Sequence, residues 1–191
     1  FYKGVETMKK SILGSLRFLI FSLIVFGGLY TVAVTGIGQL FFSDQANGSK
    51  VSVNNQVVGS KLIGQTFEQA KYFSGRSEEV SQLSPVSAEQ KQLVEKRTVA
   101  ELEKNPAEKK VPNDLVTASA SGVDPDISLA AAHFQVARIS KERGLSQQSI
   151  RKLIDKHSQK DWFSDRFYVN VLQLNLALDK LGTVSYTHLR A

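Results

Sequence analysis

Between Ile12 and Phe42 the chain carries one charged side chain, Arg17, and from Phe18 to Ser43 it carries none. A helix rises about 1.5 Å per residue, so roughly 20 apolar residues cross a hydrocarbon core of about 30 Å, and this run is long enough to do so at a tilt. A core helix of a soluble protein is usually shorter and keeps a polar stripe. Here Phe18, Leu19, Ile20, Phe21, Leu23, Ile24, Val25 and Phe26 are apolar all round. A cleaved signal peptide is the stronger competitor, because Lys9 and Lys10 precede the run. Its apolar region would span only about 7 to 15 residues, whereas this one continues through Val32, Val34 and Ile37 to Phe42. The reading is a retained anchor over 8–43.

The only methionine is Met8, and the chain's own start is expected there. Residues 1–7 read as a non-native leader. Lys9, Lys10 and Arg17 flank the start of the span, and cytoplasmic flanks are the ones rich in Lys and Arg. The N-terminus is therefore expected inside, and the main domain, 44–181, outside the cytoplasm. The net charge of +6 could suggest nucleic acid, but it divides unevenly. Phe1 to Phe42 holds four Lys or Arg against Glu6, Ser43 to Leu181 holds 19 against 17, and Arg190 supplies the rest. The excess is mainly an orientation signal. The absence of cysteine is compatible with an extracytoplasmic domain without being diagnostic of one.

After the span the chain turns polar. Val51 and Val53, then Val57 and Val58, alternate around Asn54-Asn55 and predict a small hairpin. Gly59 and Gly64 suit tight turns, and Phe67, Tyr72 and Phe73 are expected in the core, with partner contact as the other reading. Nothing here has the G-x-x-x-x-G-K-[ST] frame of a phosphate loop. Ser87-Ala88-Glu89-Gln90 reads as a capping box opening a charged surface helix that stops near Asn105-Pro106. Glu89, Lys91, Glu95, Lys96, Arg97, Glu101 and Lys104 are expected to face water. Leu115 to Gly122 reads as a short strand running into small residues. Ser119 or Ser121 would be the nucleophile of an anchored serine hydrolase, but the G-x-S-x-G elbow is absent and sequence shows no pairing with His133 or His157.

Ser128 predicts a helix through Arg143 ending at Gly144, and Ser146 caps a second helix with Ile150, Leu153, Ile154 and His157 on one face. His157 is expected to be packed and not a ligand. This pair also resembles a helix-turn-helix with Arg151 and Lys152 on the second helix, so a membrane-tethered DNA-binding regulator is the alternative function. The expected sidedness opposes it. Trp162 and Phe163 open a loop, Tyr168 to Val171 alternates like a strand, and Leu172 to Leu181 closes with a leucine-rich helix. Gly182 to Ala191 has no periodicity and reads as a non-native tail. Short strands and helices without regular alternation indicate an α+β domain.

Seven stretches in this order strongly resemble the C subunit of the Kdp potassium-transporting ATPase. They are Gly59-Ser60, Leu62 to Gln65, Phe73-Ser74-Gly75-Arg76, Asp114 to Gly122, Gln135-Val136-Ala137-Arg138, Arg143-Gly144-Leu145 and Asn170 to Asp179. The resemblance covers Met8 to about Leu181. The chain departs from many members at Ser81 to Pro85, where they carry a Ser/Gly/Asn-rich stretch, and at Asp126, where they carry His.

The resemblance implies an accessory subunit of a high-affinity potassium importer in the bacterial inner membrane. Its partners would be a channel-like subunit, a P-type ATPase subunit and a small peptide. ATP and Mg²⁺ would belong to the ATPase subunit, with no nucleic acid involved. Such subunits are described as catalytic chaperones that raise the ATP affinity of the ATPase subunit. An outer domain meets no cytosolic ATP, so no residue here is assigned to nucleotide, catalysis or metal. Gly27, Gly28, Gly36 and Gly38 would let sibling helices approach the anchor. Asp114, Asp124 and Asp126 would either form turns or shape the field near a pore entrance.

Overall fold

The computed structural model describes the backbone of residues 2–77 and 79–188 and the side chains of 8–77 and 79–182. Two compact units divide between Ser49 and Lys50. In the first, α1 (Tyr2–Ser22), a wider π-helical stretch (Leu23–Tyr30) and α2 (Thr31–Phe41) follow one another without a break, and α3 (Ser43–Ala46) adds one turn. The 34 residues Met8–Phe41 are long and apolar enough to cross a membrane, and none of the span is buried against the rest of the chain. The Thr31 hydroxyl donates to Phe26 O at 3.0 Å, five residues back, in keeping with the wider winding.

The second unit is the α+β domain. It opens with the expected hairpin, β1 (Lys50–Val53) and β2 (Gln56–Ser60), paired antiparallel with a bulge between Val51 and Ser52. Asn54 and Asn55 take φ of 51° and 63°, the left-handed pair of a two-residue hairpin turn that Asn tolerates. A second sheet carries β5 (Phe167–Asn170) in the middle, flanked antiparallel by β3 (Asp126–Ser128) and the short β4 (Gln159–Lys160). Around it lie α6 (Leu129–Phe134), α7 (Val136–Arg143), α8 (Gln147–His157) and α9 (Val171–His188), whose backbone continues into the stretch read as a tail. Phe73, Ala131, Val136, Ile139, Ile150, Ile154, Val169, Leu174 and Leu178 are buried in one core.

The local signals for starts and stops act as chemistry requires. Ser87, Ser128 and Ser146 each accept a bond from the backbone N–H three residues on, at the N-termini of α4 (Ala88–Lys104), α6 and α8. Only half of the capping box forms at Ser87, because its own N–H donates to Ser84 O at 3.0 Å. Gly144 ends α7 at φ 64°.

Three expectations are corrected. Leu115 to Gly122 is not a strand: Pro112 starts the single turn of α5 (Asn113–Val116), and Thr117 closes it by donating N–H and hydroxyl to Asn113 O at 2.9 and 2.7 Å. The helix from Ser128 to Arg143 breaks at Gln135, whose N–H tightens to Ala132 O, three residues back. Gly59 and Gly64 do not have the positive φ that a glycine-requiring turn would show. Gly64 is small because a Cβ there would stand 2.5 Å from Asp124 O, the strand of chain to which its N–H donates at Val123 O.

Candidate functional site

Helices α7 and α9 hold between them an irregular loop, residues 66–77, that enters the core at Phe73 without a strand partner. A buried peptide group left unpaired costs about as much as a lost hydrogen bond, so something must stand in for the missing strand. Two side-chain amides do so. Asn175 of α9 accepts from Phe73 N–H at 2.8 Å and donates to Phe73 O at 2.9 Å. Gln135, fully buried at the α6–α7 break, accepts from Ser74 N–H at 2.8 Å and donates to Ser74 O at 3.1 Å.

Arginines fasten the flanks. Arg138 donates to Tyr72 O, Ala70 O, Asn105 Oδ1 and Gln135 Oε1. Burial lowers the pKa of its guanidinium, and the charges of Glu101 and Glu142 oppose that shift. Arg143 donates to Lys71 O and Asp179 Oδ1, each at 2.7 Å, and stacks 4.8 Å above the Tyr72 ring, whose hydroxyl donates to the same carboxylate. Arg76 reaches across to Asp124 at 2.9 Å and Ala118 O at 3.0 Å. Phe73, Ser74, Arg76, Gln135, Arg138, Arg143, Asn175 and Asp179 all come from motifs quoted above, and the fold gathers them into one polar junction.

Beside the junction lies a cavity of about 660 Å³, lined by the loop, by Arg97, Ala100, Glu101 and Lys104 of α4, and by Arg138 and Glu142. Its volume falls in the range of roughly 300 to 1,000 Å³ typical of small-molecule sites. Its charges, however, are largely compensated: Arg97 pairs with Glu79, Lys104 with Glu101 at 2.8 Å, and Arg76 with Asp124. Cations already holding carboxylates are poorly suited to a polyphosphate. Glu101 and Arg97 were expected to face water. Instead Glu101 is buried and Arg97 donates to Val116 O, because the α5 turn covers that flank of α4.

The remaining candidates separate. Ser119 and Ser121 accept from the N–H groups of Gly122 and Val123. His133 lies 3.7 Å from Asp155, and His157 donates to Leu153 O at 2.9 Å, so the described residues join no serine to a histidine. Among the described residues no cluster of His, Asp or Glu could hold a metal. Asp124 accepts from Asp126 N–H two residues on, a turn-forming role, whereas Asp114 accepts from the N–H and hydroxyl of Ser128, fourteen residues away, and ties α5 to the end of β3. Asp126 bonds to Asn170, and burial raises its pKa, with Asp124 adding to the shift against the Asn170 bond.

The glycines of the anchor sit on the π-helical stretch (Gly27, Gly28) and on α2 (Gly36, Gly38). A Cβ at the first three would meet nothing within 4 Å, and at Gly38 only Ala46 Cβ at 3.8 Å. The helix-turn-helix reading rests on Arg151 and Lys152, and both are exposed on α8, whereas Arg138 and Arg143 of the preceding helix are committed to the loop. The buried amides Gln135 and Asn175 were missed as site residues. Their one signal was an amide placed among Leu172, Leu174, Leu176 and Leu178, or between buried Phe134 and Val136.

Among the described residues, these features define a chain with one membrane-length helix followed by a helix-and-sheet domain organised about a buried polar junction. A family model described as "K+-transporting ATPase, c chain" matches residues 12–180. A protein of Herminiimonas arsenicoxydans with the name "Potassium-transporting ATPase KdpC subunit" is 44% identical over 174 residues, covering 82% of this chain and 90% of its own length. One of the same name from Listeria monocytogenes is 44% identical over 188 residues, 93% and 97% of the two chains. Another, from Mycobacterium bovis, is 39% identical over 189 residues, 91% and 100%. The chain belongs to the family of C subunits of the potassium-transporting Kdp ATPase.

Two outcomes follow from the junction. Asn175→Ala strands both peptide groups of Phe73 and should destabilise the domain by about 2 to 5 kcal/mol, read by urea unfolding of the full chain in detergent. For Asp126 the sign is opposite to that of a paired carboxylate. A folded pKa raised above the unfolded value means that the native state holds the proton more tightly. This contribution is present below the unfolded pKa and is lost as pH rises through the folded one. Asp126→Asn should therefore flatten the fall in stability over that window, measured by unfolding midpoints across a pH series, and should leave the chain no less stable at pH 7.

Proposed function

We propose that this chain is the single-span accessory subunit of an ATP-driven potassium uptake complex, with its N-terminus in the cytoplasm and its α+β domain outside. The observation that carries this reading is the family match over residues 12–180, which takes in both the apolar helix and the domain. Lys9, Lys10 and Arg17 before the span support the sidedness. The partners on this reading are a channel-like subunit, a P-type ATPase subunit and a small peptide, in a bacterial inner membrane. ATP and Mg²⁺ bind at the ATPase subunit. Any rise in that subunit's ATP affinity is transmitted through the assembly, since the cavity's cations are already paired. The outer domain supports assembly and the approach of potassium without coordinating the ion. Ion selection rests with rings of backbone carbonyls in a filter, and this chain carries no filter sequence.

Within the membrane, the glycines are the surface offered to sibling helices. Lipid tails gain nothing from small side chains, whereas a second helix gains close packing. Open space at Gly28 means that Gly28→Leu leaves the isolated helix undisturbed, so any effect reports on neighbours.

Affinity purification of the tagged chain from membranes should bring down a P-type ATPase and a channel-like subunit, and Gly28→Leu should reduce their yield several-fold. Recovery of the tagged chain alone would sink the subunit reading, and unchanged yield in the variant would remove the packing role. Fused after Leu181, alkaline phosphatase should be active and green fluorescent protein dark. The reverse pattern would place the domain in the cytoplasm.

A further inference from the structure

The two most exposed large apolar side chains among the described residues are neighbours, Trp162 (95%) and Phe163 (98%). They stand at the tip of the loop joining β4 to β5. The loop is built and not slack. Asp161 accepts from Phe163 N–H at 3.3 Å and from the Ser164 hydroxyl at 2.8 Å, and its N–H donates to Arg166 O at 3.0 Å. Below the tip Lys160 pairs with Phe167 in the sheet, and the next inward residue of β5, Val169, is fully buried in the core. The fold therefore projects two rings from a fixed base, and nothing in the domain covers them.

Single exposed apolar residues need no explanation. Two adjacent rings on a braced tip do, and three observations indicate what they meet. Indole combines an apolar body with one N–H donor and concentrates at membrane–water interfaces. The residues behind the rings are polar, with Lys160 ion-paired to Asp165 at 2.7 Å beside Asp161, Ser164 and Arg166, a base that stays hydrated at the level of headgroups. Finally, only Phe42 to Ser49 separates the end of the membrane-length helix from β1, so even an extended tether reaches at most roughly 30 Å.

We propose that Trp162 and Phe163 form a second, interfacial membrane contact: the rings enter the boundary between headgroups and acyl chains, while the polar base, with its Lys160–Asp165 pair, remains in the hydrated headgroup layer. The inference rests on the reading of Met8–Phe41 as an anchor.

Trp162 is the only tryptophan in the chain, so intrinsic fluorescence reports on this site alone. The full chain would be reconstituted without siblings into phosphatidylethanolamine/phosphatidylglycerol liposomes and floated on a density gradient. Its emission should lie to the blue of free tryptophan and resist acrylamide. Lipids brominated near the headgroup should quench it strongly, and lipids brominated at the chain ends only weakly. Phe163→Ser, which alters a side chain touching nothing, should restore acrylamide quenching at least twofold while the protein still floats. A floating wild-type chain whose Trp162 is open to acrylamide and untouched by brominated lipid overturns the proposal. Shielding that arises only when channel-like and ATPase subunits are added overturns it too, in favour of a protein occupant. A chain that does not float refutes the anchor itself, and this contact with it.

Discussion

The domain depends on satisfying the peptide groups of Phe73 and Ser74 inside an apolar core. Phe73 is the largest fully buried side chain, so the loop that carries it cannot stay at the surface. Once it is drawn in, its backbone donors and acceptors lose water and must find partners. Asn175 and Gln135 provide them with the donor–acceptor pattern of a neighbouring strand, one from α9 and the other from the α6–α7 break, forty residues apart in sequence. In a medium of low dielectric these bonds are strong when complete and costly when broken, which couples the positions of α7, α9 and the loop. Arg138 and Arg143 extend the coupling outward by gripping carbonyls on either side.

This arrangement explains which parts of the fold were legible in the sequence. Features set by neighbours within a few residues were readable: the apolar run, the serine caps at Ser87, Ser128 and Ser146, the Asn54-Asn55 turn, and Gly144 at the end of α7. Features set by distant chain were not. Nothing near Leu115 says that Pro112 will start a helical turn whose buried Leu115 and Val116 displace a strand. Nothing on α4 distinguishes Glu101 from Glu95, yet a turn fourteen residues downstream of Glu101 buries Glu101 and leaves Glu95 exposed. Asn175 looked like an interruption of a leucine stripe, when it is the residue for which the stripe makes room.

The same logic separates family resemblance from chemistry. The quoted motifs identified the family while giving no reaction, because the residues that carry them are bonded to one another. An arginine donating four hydrogen bonds to its own chain, as Arg138 does, has little left for a ligand. Motifs of this kind fix the shape of a domain.

Energetics also fit a domain that works close to a membrane. A 34-residue helix is about 50 Å long, well beyond a hydrocarbon core of about 30 Å, so it can tilt or extend into the headgroups without losing its span. Burying a Phe side chain fully is worth about 1.5 to 3 kcal/mol, and an interfacial ring gains less. Two rings on a free domain would bind a bilayer only transiently. On a domain held by a short tether the same contact becomes intramolecular, and an effective concentration in the millimolar range turns a weak affinity into substantial occupancy. On the proposed contact, the rings of Trp162 and Phe163 would add only orientation to the retention that an anchor at Met8–Phe41 supplies.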